Sequence, residues 1–246
     1  MIEVSVIAPC LNEEENIEPL VKRINKALNK ARINGEIILI NDGSKDDTLS
    51  ILKKVKSKTK NLIIINHNKN KGIVEAWKSG LRKATGRYVI TTDSDLQYLP
   101  EDIPRLYKKI KGSKFDLVQG RREKDEEKNF IRDSLSVSLS FILNRIFSMK
   151  LKDIKSGFII YKRKVFKDIL DYKKNYNLFQ HFVTVAAHWK GYKIKQIPVK
   201  FAKRKHGKSF INAVPVKFIV KILLDIPKAI SEYRLNHNNH RNKRLP

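Results

Sequence analysis

The sequence is poor in cysteine, in acidic residues and in long apolar runs. Its single cysteine, Cys10, excludes an internal disulfide, and the apolar residues around it predict a small core side chain. No window offers about 18 to 20 uncharged apolar residues, so we expect no membrane-spanning helix. The chain opens directly on a strand-like pattern. We therefore also expect no signal peptide and a cytoplasmic location, with association to a membrane surface left open.

The shortage of acidic residues gives the chain a strong positive charge. Its 246 residues include 52 Lys and Arg but only 25 Asp and Glu, a formal net charge of +27. Such a surface attracts polyanions, and nucleic acid, an anionic membrane surface and phosphorylated substrates are all open as partners. An organism with generally Lys-rich proteins would produce the same balance without any specific partner. The hydrophobic content of 41% is typical of a globular protein.

Apolar runs alternate with helical spacings in the first part of the chain. Runs typical of buried strands lie at 4–8, 37–40, 62–65 and 88–91, and helical patterns at 16–30, 48–55 and 73–84. This alternation predicts an α/β fold with a mixed, mainly parallel sheet flanked by helices. Beyond residue 111 the pattern is less regular, with strands expected at 116–120, 158–161 and 192–199 and helices at 165–170 and 179–190.

Polar and acidic residues follow three of the predicted strands. Asn12 and Glu13 come after the first, Asp42 after the second, and Asp93 and Asp95 after the fourth. Ligands of parallel sheets bind at the carboxyl ends of the strands, so these side chains should converge on one edge. Carboxylate oxygens suit Mg²⁺ or Mn²⁺, and a metal there would neutralise a leaving diphosphate. The alternatives are two solvated acids at a strand end, helix capping by Asn12 and an Asx-turn at Asp42.

Several short segments, taken in order, resemble the family-2 glycosyltransferases of GT-A fold. Within that family they are most similar to the polyprenyl-phosphate glycosyltransferases, the group of dolichol-phosphate mannose synthase. The resemblance spans residues 2–210. The matching segments are Val6 to Glu13, Ile40 to Ser44 with Asp47 and Thr48, Asn70 to Gly72 with Ala76 and Gly80, Asp93 to Gln97 with Pro100 and Glu101, Gly120 to Arg122, Asp153 with Ser156 to Phe158, and Arg204 with Gly207 to Ser209.

The resemblance implies a role for each matched residue. The donor nucleotide-sugar would be bound by Pro9, Asn12, Glu13, Asp42, Asp93 and Ser94. The metal, Mg²⁺ or Mn²⁺, would be held by Asp95, with Gln97 as a further ligand. The acceptor phosphate would be bound by Arg121, Arg122, Arg132, Ser136, Arg204 and Ser209. Asp93, Asp95 and Arg132 would be catalytic, and Asp153 would hold the acceptor loop by hydrogen bonds.

The region around Leu178 bears on the nature of the acceptor. Many family-2 enzymes that glycosylate hydroxyl groups carry a late acidic residue as general base, whereas the matching segment here, residues 178–182, has none. A hydroxyl needs a base, but a phosphate monoester is already largely ionised near neutral pH. The resemblance therefore implies an inverting enzyme that moves a hexose from a GDP- or UDP-sugar to a polyprenyl phosphate.

Two other functions stay open from the sequence. One is transfer to a sugar hydroxyl of a glycolipid or polysaccharide, in which His181 would be a candidate base. The other, more remote, is a nucleic-acid-binding protein driven by its charge. The sequence disfavours specific nucleic-acid binding because its aromatic residues are not interleaved with the basic runs.

The C-terminal part has a different pattern. Within 214–230 the charged residues Lys217, Lys221, Asp225 and Lys228 share one helical stripe on an otherwise apolar segment, which Pro227 is expected to kink or break. An amphipathic helix over 211–233 would lie on a membrane surface or pack on the core.

This helix would follow a catalytic domain at 1–210, divided into a nucleotide-sugar half (1–110) and an acceptor half (111–210). The basic tail, 234–246, is predicted to be disordered. Many relatives append spanning helices here, so we expect a peripheral enzyme or a separate membrane-spanning partner.

Overall fold

The computed structural model describes residues 1–123, 130–204 and 216–235, excepting the side chains of 130–138, 216–218 and 234–235. Its strands are β1 (Val4–Cys10), β2 (Gly35–Asp42), β3 (Leu62–His67), β4 (Tyr88–Thr91), β5 (Leu117–Arg122), β6 (Ile159–Lys162) and β7 (Ile194–Val199). Its α-helices are α1 (Glu14–Lys30), α2 (Thr48–Ser57), α3 (Ile73–Lys83), α4 (Ile103–Ile110), α5 (Phe130–Phe147), α6 (Arg163–Leu170), α7 (Val183–Trp189) and α8 (Val216–Ala229). Short 3₁₀ turns lie at Pro100–Asp102 and Phe179–His181, and a π-helical turn, Ile230–Leu235, follows α8.

The seven strands form one sheet in the order β3-β2-β1-β4-β6-β5-β7. β1 pairs in parallel with β2 and β4, β2 with β3, and β5 with β7. Only β6 runs against its neighbours, β4 and β5. Every strand except β6 therefore ends at the same edge, where β6 begins. The predicted mixed, mainly parallel sheet is confirmed.

Apolar residues fill both faces of this sheet because side chains alternate along each strand. On β2, Ile38 and Ile40 belong to the cluster that also contains residues of α3, α5, α6, α7 and α8. Their neighbours Ile37 and Leu39 belong to the cluster that contains residues of α1, α2 and α4. Gly80 lets α3 approach β1 closely, since a Cβ there would lie 2.7 Å from the Ile7 side chain. Cys10 is fully buried, as expected.

In the structure, the predicted charged stripe of α8 is partly buried. Asp225 is fully buried, and its carboxylate accepts hydrogen bonds from the backbone N–H groups of Asn177 and Leu178 and from Lys228 Nζ. The side chains that α8 exposes are instead largely apolar: Val220, Leu223, Leu224 and Pro227, together with Lys221. Pro227 neither breaks nor ends the helix, which continues to Ala229. In the described part of the chain, no helix has the length and apolarity needed to cross a bilayer.

Candidate active site

The polar residues predicted from the strand ends do meet at one edge of the sheet. Asn12 and Glu13 follow β1, and Asp42 ends β2. Asp93 and Asp95 follow β4, and Arg122 ends β5. The loop before β6 joins them: Thr91 Oγ1 donates to the Gly157 carbonyl, and Gln119 Nε2 donates to the Ser156 carbonyl. Pro9 lies in β1, partly buried, and Ser94 is buried beside Asp95. The sheet topology therefore explains why residues far apart in sequence share one site.

Asn12 and Glu13 connect the loops that follow β1 and β2. Asn12 has a φ of 55° and accepts a hydrogen bond at Oδ1 from the backbone N–H of Lys45. Glu13 is the residue at the N-cap of α1, without a side-chain cap hydrogen bond, so the alternative of capping by Asn12 is wrong. Glu13 is 4% exposed and accepts a hydrogen bond from Asn16 Nδ2 at 2.6 Å. Its carboxylate therefore stays inside the site.

The carboxylate of Asp42 is engaged by the segment before α3. Its Oδ1 accepts from the Lys71 N–H and lies 2.7 Å from His67 Nδ1, while Oδ2 accepts from the Gly72 N–H. Gly43 makes this approach feasible, because its φ is 75° and a Cβ would lie 2.5 Å from the Asn70 nitrogen. Asp42 thus shapes the loops beside the site predicted for the donor nucleotide. Its hydrogen bonds span more of the chain than those of an Asx-turn. His67 was missed from sequence, although it ends β3 at the same edge.

Asp95 forms the centre of the charged cluster. It is 5% exposed, and its Oδ2 accepts a hydrogen bond from Arg204 Nη2 at 2.6 Å. The other guanidinium nitrogen, Nη1, lies 3.5 Å from Glu13 Oε1. Leu96 has a φ of 62°, an unusual conformation for a branched side chain and one that is often found at functional sites. The structure therefore places Arg204 beside Asp95 and Glu13, and its binding of the acceptor phosphate stays a prediction.

A short antiparallel pairing carries Arg204 to this position. Tyr98 pairs with Phe201, and the Ala202 N–H donates to the Gln97 carbonyl at 2.8 Å. The side-chain nitrogen of Gln97 donates to the Ala202 carbonyl. In the described structure the side-chain amide of Gln97 therefore connects the Asp93–Gln97 segment to the segment that contains Ala202 and Arg204.

Burial raises the pKa of two acids in this cluster. Burial, and then the neighbouring charge of Asp95, raise the pKa of Asp93 to about 7. Burial likewise raises the pKa of Glu13, opposed by the hydrogen bond from Asn16 and the charge of Arg204. A perturbed acid in a ligand-binding edge is a candidate functional residue. The site has more negative charge than its arginines neutralise, which favours the binding of a further cation.

The donor set suits a hard divalent ion. Among the described residues, no three Asp, Glu, His or Cys side chains are grouped so as to enclose a metal. Mg²⁺ is commonly bound by only one or two carboxylates, with substrate phosphates and water supplying the remaining oxygen ligands. Asp95 and the acid-rich surroundings provide that arrangement, so these residues fit the predicted Mg²⁺ or Mn²⁺.

The neighbouring arginines of β5 have different surroundings. Arg122 forms a two-point ion pair with Asp153, with both nitrogen–oxygen distances at 2.9 Å, and its guanidinium lies over the Phe201 ring. Arg121 instead lines a separate cavity of about 340 Å³ together with Lys150, Lys152, Lys195 and others. Alternation along the strand separates the two side chains. Asp153 Oδ1 also accepts from the Lys155 N–H, so the predicted hydrogen bonds of Asp153 are present, and the role of this loop toward an acceptor stays a prediction.

We expect Asp153→Asn to lower the free energy of unfolding by about 3 kcal/mol, because it leaves a largely buried guanidinium without its charge partner. Urea denaturation followed by circular dichroism measures this. Asp171→Asn is the matched control: Asp171 also pairs with a lysine, but its side chain is 69% exposed. The control should change stability by less than about 1 kcal/mol. Equal effects of the two substitutions would contradict the structural role of Asp153.

Part of the predicted acceptor site lies outside the described residues. Ser209 belongs to 205–215, and the side chains of Arg132 and Ser136 belong to 130–138. The backbone of α5 includes both positions, so they are four apart on one helix. Their role in phosphate binding stays a prediction.

The segment that lacks an acidic base lies near cations. Phe179 and Phe182 are buried, and burial, followed by the charges of Lys155 and Arg122, lowers the pKa of His181 to about 3. A histidine with this pKa is a poor general base near neutral pH. His181 is therefore a weak candidate for the base that a hydroxyl acceptor would need.

Residues 5–170 match the model of glycosyl transferase family 2. The chain is 29% identical to the dodecaprenyl-phosphate galacturonate synthase of Rhizobium johnstonii over 92% of its own length and 65% of that protein. It is 33% identical to the dolichol-phosphate mannosyltransferase of Pyrococcus furiosus over 85% of its own length and 59% of that protein. The chain thus spans less than two thirds of the length of these relatives.

The fold is also found among solved structures. A mannosyltransferase from Pyrobaculum calidifontis, solved with GDP-Man and Mn²⁺, superposes with a TM-score of 0.64 at 16% identity. The match covers 93% of this chain and 63% of that structure. At this identity the likeness establishes the fold alone, and it confirms the predicted GT-A architecture.

Proposed function

The chain belongs to glycosyl transferase family 2, and on that premise we propose that it transfers a hexose from a GDP- or UDP-sugar to a polyprenyl phosphate at a membrane surface. The reaction is a single displacement that inverts the anomeric centre. Both curated relatives described above are named for work on a polyprenyl phosphate, which supports this acceptor class.

The donor half of the proposal rests on the Asp93–Asp95 cluster. Asp95 and a divalent ion would hold the diphosphate, and the ion, when bound, supplies the positive charge that stabilises the leaving group. Glu13 and Asp93 border the same space, and Asn12 fixes the loop beside it through Lys45. The neighbour solved with GDP-Man and Mn²⁺ supports a metal-dependent use of a nucleotide-sugar.

The acceptor half is carried by one observation: among the described residues, the cations Lys155 and Arg122 lie near His181, and the segment 178–182 contains no acidic residue. A phosphate monoester needs no base, because it already carries negative charge near neutral pH. Arg122 and Lys155 supply positive charge on this side of the site, and Asp153 holds both in place through its carboxylate. The tight Arg122–Asp153 pair makes Arg122 a positioning and electrostatic group for an incoming phosphate.

The exposed face of α8 supports action at a membrane surface. Val220, Leu223, Leu224 and Pro227 are spaced three and four residues apart, so they form one apolar stripe facing away from the protein core. Val220, Leu223 and Leu224 are 47%, 46% and 60% exposed, and Lys221 is exposed beside them. An apolar stripe with a flanking lysine on a cationic protein is suited to an anionic bilayer.

Radiolabelled transfer tests this function. Purified protein, Mn²⁺ or Mg²⁺, a panel of GDP- and UDP-sugars and a polyprenyl phosphate should yield a labelled lipid that mild acid cleaves. A labelled product that resists mild acid would indicate a glycosidic bond to a hydroxyl acceptor and would overturn the phosphate proposal. Absence of transfer from every donor would count against the proposed activity as a whole.

We expect the double substitution Leu223→Ser and Leu224→Ser to weaken binding to anionic vesicles about tenfold, since it removes two apolar side chains from the proposed interface. Co-sedimentation with vesicles measures the binding. Sugar transfer to a short-chain polyprenyl phosphate, assayed without detergent, should be unchanged. Lys54→Ser on α2, also an exposed position, is the control. Unchanged vesicle binding in the double variant would exclude α8 as the membrane contact.

A further inference from the structure

Arg204 occupies the place where the donor site needs a cation. Its Nη2 donates to Asp95 Oδ2 at 2.6 Å, and its Nη1 lies 3.5 Å from Glu13 Oε1. Both carboxylates are nearly buried, at 5% and 4% exposure. We propose that Arg204 is the internal counter-cation of the metal site, which a divalent ion must displace from Asp95 in order to bind. This inference rests on the proposed metal-dependent function.

The competition follows from charge and geometry. A buried carboxylate is costly unless a cation or several hydrogen-bond donors accompany it. The guanidinium of Arg204 meets that need when no nucleotide-sugar is bound. A divalent ion bound to Asp95 would remove the need and would repel the guanidinium at contact distance. The two cations therefore exclude each other at the carboxylate of Asp95.

The local structure allows Arg204 to change partners without unfolding the site. The anchored part of the segment is Phe201–Ala202, which pairs with Tyr98 and Gln97. Arg204 lies two residues beyond that anchor, and its side chain is 20% exposed. A displaced guanidinium stays within the donor site, beside the space proposed for the diphosphate.

The chemistry of the guanidinium identifies its second partner. Arginine binds diphosphate oxygens in two-point geometry, and such charge-assisted hydrogen bonds are among the stronger ones in proteins. Arg204 would therefore oppose the metal when it binds alone and assist the nucleotide once the metal is present. Coupling of this kind makes the metal and the donor diphosphate bind together.

Two binding measurements on Arg204→Gln test the proposal, neither of which uses catalysis. Titration calorimetry with Mn²⁺ alone should show binding about tenfold tighter than in the unsubstituted protein, because the competing charge is gone. Titration with GDP and UDP at saturating Mn²⁺ should show binding about tenfold weaker, because two charged hydrogen bonds are lost. Arg204→Lys keeps the positive charge but lacks the two-point geometry of the guanidinium. It should leave the affinity for Mn²⁺ unchanged and weaken the binding of the nucleotide. Lys203→Gln removes one charge from the neighbouring exposed position and should change neither affinity.

Opposite changes in the two affinities are the signature of the proposal. A merely structural Arg204 would weaken both, and that result would overturn it, as would an unchanged affinity for Mn²⁺ alone. Thermal melting of each variant shows whether it folds, and Arg204→Lys provides the second measurement if Arg204→Gln does not. Absence of Mn²⁺ binding by every variant, with nucleotide present, would overturn both this inference and the metal dependence. The radiolabelled transfer assay tests sugar transfer separately from either result.

Discussion

Asp95→Ala is expected to reduce sugar transfer by at least about 1000-fold, because the substitution removes the carboxylate proposed to hold the metal against the donor diphosphate. The leaving diphosphate develops negative charge as the anomeric bond breaks, and a cation fixed at that point lowers the barrier. Asp95 is suited to fix it because it is nearly buried and receives the Gln97 N–H at Oδ1. Initial rates with a labelled nucleotide-sugar, at several Mn²⁺ concentrations, measure the effect.

A second variant separates loss of the metal from loss of the fold. Asp95→Asn keeps the size of the side chain and still offers one oxygen, so it should require a higher Mn²⁺ concentration and remain folded. The exposed Asp171→Ala controls for removal of a carboxylate elsewhere. Full activity of Asp95→Ala would show that the metal assignment is wrong.

Much of the fold of residues 1–110 could be predicted from sequence because its signals are local. β1 and β2 each contain an apolar run, at 6–8 and 37–40, that is soon followed by polar residues, and α1 has its buried residues three and four apart. Parallel pairing then follows from the strand–helix alternation, and it places Glu13 and Asp95 at one edge. The direction of β6 was harder to predict, since it depends on antiparallel pairing with β4, which is distant in sequence.

The features that the sequence could not predict come from contacts between distant parts of the chain. Arg204 meets Asp95 across 109 residues, and no local pattern marks that pair. A helical repeat locates a stripe on α8 but does not say which side faces the protein. Asp225 faces inward because the backbone at 177–178 donates to it. The separation of Arg121 from Arg122 is a different case. It could be predicted, because adjacent side chains of a strand point to opposite faces of the sheet.

The raised pKa of Asp93 leads to an opposition between stability and activity. In the unfolded chain an aspartate has a pKa of about 3.9, whereas burial and the charge of Asp95 raise the folded value to about 7. Between these values the folded protein binds more protons than the unfolded chain, so stability falls as pH rises through this window. Above pH 7 the charged Asp93 destabilises the metal-free protein.

Asp93→Asn should therefore stabilise the metal-free protein at pH 8 by on the order of 2 kcal/mol, with a smaller gain at pH 5, where Asp93 is already protonated. The same substitution should nearly abolish sugar transfer, because Asp93 borders the proposed donor diphosphate. Urea denaturation at the two pH values measures the difference, with Asp171→Asn as the exposed control. Mn²⁺ with a nucleoside diphosphate favours the charged carboxylate, so it should stabilise the unsubstituted protein more than the variant. A gain equal at both pH values would exclude the titration of Asp93 as its cause.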